Sequence, residues 1–187
     1  MGIACALCLF ASAVLVPADT FRIDPDASRL AFTIQHLGFN TVRGSFEEFD
    51  GELVYTDDPE SLRLSGSVQV ASIDTGIGLR DRHLRGADWF DAGRHPRITF
   101  RQGQLTGMRS DGRGTIEGVL SIRGTSRPVA LNAQLEERAE EGEVVLTIDG
   151  AVDHRPFGVV PDSAGGRTIG DTVTADIRLV ARRGGRP

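Results

Sequence analysis

Leu62-Arg63-Leu64-Ser65-Gly66-Ser67-Val68-Gln69-Val70 is the stretch whose reading decides the fold class. Leu62, Leu64, Val68 and Val70 share one parity; Arg63, Ser65, Ser67 and Gln69 share the other. Successive side chains of an extended chain point to opposite faces, so this is a strand with one apolar and one polar face. The same period recurs upstream, where Leu30, Phe32 and Ile34 alternate with Arg29, Thr33 and Gln35. Downstream, Ile116, Leu120 and Ile122 oppose Thr115, Glu117 and Ser121. Val129, Leu131, Ala133 and Leu135 share a face, as do Val144, Leu146, Ile148 and Val152. Val173, Ala175, Ile177 and Leu179 complete the series.

Turn signals separate these runs: Asp57-Asp58-Pro59, Ser110-Asp111-Gly112, Arg123-Gly124-Thr125 and Glu141-Gly142. Between Phe46 and Phe49 the apolar parity slips, which predicts a bulge or a strong bend within a long strand. One segment departs from alternation. Gly78 to Phe90 is compatible with a helix, with Leu79, Leu84, Ala87 and Phe90 on one face and Thr75 as its cap. The expectation is an all-β domain of about eight antiparallel strands with one short helix between them. Such a set closes into a barrel or stacks as a sandwich, and a barrel with so long an apolar face is either a packed core or an apolar pocket.

Composition narrows the function. The chain has 187 residues, the size of one domain, and a formal net charge of -5, which argues against nucleic acid as the main partner. All 21 basic residues are Arg. Without Lys there is no Schiff-base chemistry and no P-loop. His36, His83, His95 and His154 show no metal-ligand spacing. Asp81, His83, Asp88 and His95 could assemble a site, but charges around a surface helix explain them equally, and no metal is expected. No G-x-S-x-G elbow occurs, and Glu47 and Glu48 fall on opposite faces of a strand, so no catalytic residues are assigned.

The amino terminus reads differently from the rest. Ile3 to Val16 is uncharged and mostly apolar, too short to span a bilayer, and ends in the small-residue pattern Val16-Pro17-Ala18. This predicts a signal peptide over residues 1–18 and a mature domain over 19–187. Both cysteines, Cys5 and Cys8, fall in the removed part, so the mature chain has no thiol chemistry and no transmembrane segment is expected in it.

Longer words carry a resemblance. Phe21-Arg22-Ile23-Asp24-Pro25, then Phe32-Thr33-Ile34-Gln35-His36-Leu37-Gly38-Phe39-Asn40-Thr41-Val42-Arg43-Gly44-Ser45-Phe46, resemble the opening of the YceI-like family. Ala71-Ser72-Ile73-Asp74-Thr75-Gly76, Arg80-Asp81, His83-Leu84-Arg85 and Asp88-Trp89-Phe90-Asp91 follow in the family's order. So do Pro96-Arg97-Ile98-Thr99-Phe100, Gly118 to Gly124 and Arg127-Pro128-Val129. Trp89 stands where the family commonly has Phe, and Pro156 and Val159 depart from its late Arg-x-x-Phe-Gly-Met word.

The resemblance implies an eight-stranded antiparallel lipocalin-like barrel, exported to the periplasm and often dimeric. It implies an apolar cavity holding a polyisoprenoid or similar long-chain lipid, a polyprenyl lipid or a quinone, with no other cofactor. The expected lining is Phe32, Ile34, Phe39, Phe46 and Val68, with Phe90, Phe100 and Leu120. His36 and Arg43 join it as polar groups of the mouth. For them, and for Asp74, Arg80, Asp81 and His83, two roles stand side by side: gripping a head group, or pinning the helix to the barrel through hydrogen bonds. The function implied is a lipid carrier or store, with a stress-linked role or an enzyme acting on the isoprenoid head group as alternatives. Amino-terminal sequencing of protein from the native host is expected to read from Asp19; an intact Met1 in soluble material overturns the export reading.

Overall fold

The computed structural model describes residues 18–36, 40–56, 58–138, 142–159 and 169–184. The expected signal segment and Phe39 lie outside the described residues, as does the side chain of His36.

Eleven strand segments form one sheet. They are β1 (Asp19–Ile23), β2 (Arg29–His36), β3 (Asn40–Phe46), β4 (Phe49–Tyr55), β5 (Arg63–Gln69) and β6 (Ile73–Asp74). After the helix α1 (Gly78–Arg85) come β7 (Arg97–Thr106), β8 (Arg113–Ile122), β9 (Thr125–Arg138), β10 (Glu143–Asp153) and β11 (Ile169–Arg183). The order β1-β4-β5-β7-β8-β9-β10-β11 returns to β1, because β1 also pairs with β11. The ring is closed and every pairing in it is antiparallel.

The remaining segments are continuations of ring strands. β1 pairs with the carboxy-terminal part of β11, Ala181 to Arg183, and β2 with the part running from Ile169 to Arg178. Together they make one long strand, broken by the 3-10 turn Pro25–Ala27. β3 and β4 likewise form one strand broken at Glu47-Glu48, and β5 continues through the turn Val70–Ser72 into β6. The eleven segments therefore occupy the eight positions expected of the barrel.

Each break changes which residues face inward. Phe46 and Phe49, three apart, both line the interior because the chain kinks between them, as the parity slip predicts. A bulge does the same in β7. Its register shifts against β5 and β8 around Gln102, whose φ is +55°, and Phe100 and Leu105 both reach the interior.

The interior is packed at one end. Phe21, Leu53, Tyr55, Leu62, Leu64, Leu105 and Ile116 meet Leu135, Val144, Leu146, Leu179 and Ala181 there, all buried. Following the strands away from this cluster, burial gives way to partial exposure: Val144, Leu146 and Ile148 lead to Val152, and Ala181 and Leu179 lead to Ile177 and Val173. The helix is shorter than its sequence pattern implies. It stops at Arg85, and Leu79 is exposed instead of packed. Leu146→Ala, at a position with no exposure, is expected to cost about 2–5 kcal/mol, read as a drop in the denaturant midpoint at constant slope.

Candidate functional site

The less packed half of the barrel holds a cavity of about 620 Å³. Its wall is built from the inward positions of nearly every ring strand: Leu30, Phe32 and Ile34 of β2; Val68 of β5; Ile98 and Phe100 of β7; Leu120 and Ile122 of β8; Val129 and Leu131 of β9; Val173 and Ala175 of β11. Ile77, Leu79, Arg80, His83, Trp89 and Phe90, from α1 and its flanking turns, complete the wall at the mouth. An aromatic series joins this rim to the barrel. Phe90 meets Phe46 edge-on at 6.3 Å, and Phe46 meets Phe32 at 5.6 Å.

Glycines make the room. Gly44, Gly66, Gly118 and Gly150 fall at inward positions of their strands, where alternation would otherwise place a side chain. A Cβ on Gly118 would lie 2.4 Å from Cζ of Phe100, and one on Gly44 would lie 2.4 Å from Cζ of Phe32. Each ring thus occupies the space that a side chain at the glycine would take. Reasoning on apolar residues alone misses these positions; the signal is a glycine at the inward parity between two apolar residues.

A polar network fastens the rim. The Thr75 amide donates to Asp81 Oδ1 at 3.0 Å, and the Thr75 hydroxyl donates to the same oxygen. Arg80 donates from Nε to Thr75 Oγ1 and from Nη2 to the Thr75 carbonyl, both at 2.7 Å. Arg85 Nη2 donates to the Ile73 carbonyl at 2.8 Å. Asp81 is a buried carboxylate, and the two Thr75 donors offset its lost hydration. Thr75 is therefore not the helix cap expected from its position; the cap residue is Ile77, which has no capping side chain. Across the mouth, Arg123 of the β8–β9 turn donates to the carbonyls of Gly158 and Ala87, tying three loops together. Beside it, Arg155 binds both carboxylate oxygens of Asp153 and holds that acid down to about 2.

The expected lining residues Phe32, Ile34, Phe46, Val68, Phe90, Phe100 and Leu120 all border this one cavity. Arg43 does not. It is exposed on the opposite parity from Val42 and Phe46, as the pleat of β3 requires. Asp81 and Arg80 serve the network that pins the helix. Trp89 takes a place in the wall, and Phe157 and Val159, in the late divergent word, are buried. Among the described residues, no three His, Cys, Asp or Glu side chains gather as a metal site would require, and no helix is long and apolar enough to cross a membrane.

Comparison with known proteins follows the same outline. The YceI-like domain matches residues 21–181, from within β1 to within β11. The chain belongs to this family. Protein YceI of Escherichia coli O17:K52:H18 is 32% identical over 139 residues, covering 72% of this chain and 71% of that protein. The UPF0312 protein plu2095 of Photorhabdus laumondii is 33% identical over 132 residues, covering 70% and 67%. Among solved structures, Burkholderia cenocepacia BcnA superposes with a TM-score of 0.75 at 20% identity, covering 84% of this chain and 98% of that one. A polyisoprenoid-binding domain from Saccharophagus degradans, implicated in plant cell wall breakdown, gives 0.66 at 14% identity, covering 88% and 98%. The YceI-like barrel is thus shared well beyond recognisable sequence identity.

Thr75→Val removes the hydroxyl that links Asp81 to Arg80 while keeping the shape. It is expected to cost about 1–3 kcal/mol in chemical denaturation and to raise the rate of proteolysis within residues 75–95 in the YceI-like rim.

Proposed function

We propose that this protein is an exported carrier or store for a single long-chain isoprenoid lipid, a polyprenyl lipid or a quinone, held tail-inward in the barrel. The observation that carries this reading is the cavity itself, with an aliphatic and aromatic wall contributed by the whole ring of strands. A wall of this kind rewards loss of apolar surface from water and offers few fixed partners for a polar substrate. Membership of the YceI-like family and the fold shared with a polyisoprenoid-binding domain support it. Export to the periplasm rests on the apolar amino-terminal run and its small-residue end.

Magnitudes agree with the geometry. If a chain carbon takes about the room of a water molecule, about 30 Å³, the cavity accepts about 20 carbons, or about four isoprene units. Each buried CH₂ is worth about 0.8 kcal/mol, so one unit contributes about 3–4 kcal/mol gross. Micromolar affinity needs about 8 kcal/mol net, beyond the several lost to association and chain ordering. Four units supply this without help from a head group.

Titration of delipidated protein with isoprenoids of graded length is therefore expected to show affinity rising to about four units and then levelling, with little dependence on salt. Leu120→Trp narrows the lumen and shifts the plateau to shorter chains. Leu120→Asp places a carboxylate in the apolar wall and weakens every chain strongly, with circular dichroism confirming the barrel. Affinity independent of chain length overturns the proposal.

A further inference from the structure

His154 is the residue of the wall that the tail does not explain. It follows β10, is 6% exposed, and forms part of the cavity wall. One ring nitrogen is engaged: Nε2 lies 2.7 Å from the carbonyl oxygen of Gly170 in β11. A carbonyl oxygen only accepts, so Nε2 carries the hydrogen and the neutral ring leaves a lone pair on Nδ1. Among the described residues, Nδ1 of His154 is the buried side-chain polar atom with no hydrogen-bond partner. Of the other buried polar side chains, Asp81 and Thr75 are bonded to each other and Asp91 pairs with Arg94. Buried acceptors are nearly always satisfied, and an unpaired one in the wall of an apolar cavity can be satisfied by a donor on the cavity's occupant.

We propose that Nδ1 of His154 accepts a hydrogen bond from the terminal hydroxyl of an isoprenoid alcohol, which makes His154 the residue that selects the polar end of the chain. The inference rests on the lipid-binding reading above and adds chemistry to it. An alcohol or a reduced quinol offers an O–H; an ether or an oxidised quinone offers only acceptors, and two acceptors leave each other unpaired. The tail then supplies affinity and His154 supplies discrimination. Gly170 holds the ring in the one tautomer that can accept at Nδ1.

The test compares geranylgeraniol with its methyl ether, chains of equal length that differ only in the donor. Wild-type protein at pH 8 is expected to bind the alcohol about tenfold more tightly than the ether. His154→Phe keeps a ring in the wall but removes both nitrogens; it should bind the two chains equally, the ratio between them being the readout. His154→Asn restores an acceptor near the Nδ1 position and should recover part of the preference, which a purely structural role would not. Equal binding of alcohol and ether by the wild type overturns this inference while the chain-length dependence still stands. A preference that survives His154→Phe overturns it equally. Loss of binding for both chains in the wild type overturns the lipid reading, and this inference with it.

Discussion

Everything in this molecule depends on the edge of β11 being shared. One edge of this 15-residue strand pairs with β10 along its length, while the other is divided between β1 and β2. A sheet left open there would expose a long row of unpaired amides and carbonyls to any passing strand. Closure removes that edge and does something more. Because backbone hydrogen bonds run all the way round, the wall does not need a filled interior to hold its shape. The hollow half is supported by the ring itself and by the packed half below it.

The division between filled and empty is set by side-chain size at inward positions. Leu53, Leu62, Leu105 and Leu146 fill one end completely. Toward the other end the ring places Gly44, Gly66, Gly118 and Gly150 inward, and Phe32 and Phe100 lie over two of these glycines. Aromatic rings, which elsewhere plug a core, here become panelling. The three strand breaks serve the same end, since each re-aims a large apolar residue into the lumen that strict alternation would have sent outward.

Much of this architecture is legible in residue order. Alternation around Leu64, Leu120 and Ile148 marks strands without help from tertiary structure, because a half-buried strand has no other way to satisfy both its faces. The slip between Phe46 and Phe49 marks a bend for the same reason. The lumen was harder to foresee, since alternation alone does not distinguish a packed interior from a hollow one; glycine at the inward parity does. The outward face of Arg43 is legible too, as its parity opposes Val42. The roles of Thr75 and His154 were beyond local reading. One depends on Asp81 folding back from a helix, the other on Gly170, sixteen residues further on, lying beside it across a strand pairing.

The gradient from solid to hollow along each strand makes the barrel a blind tube. Among the described residues the packed cluster bars one end, so an occupant that enters at the mouth leaves by it, and the part that enters last is the first to emerge. A flexible chain cannot be passed through such a tube, only lodged and withdrawn. For the isoprenoid chain proposed above, the end left at the mouth would be the handle, and a partner that takes the chain onward would have to grasp it before the tail is free. The packed end, which looks like plain structural ballast, thereby sets the direction in which traffic can move.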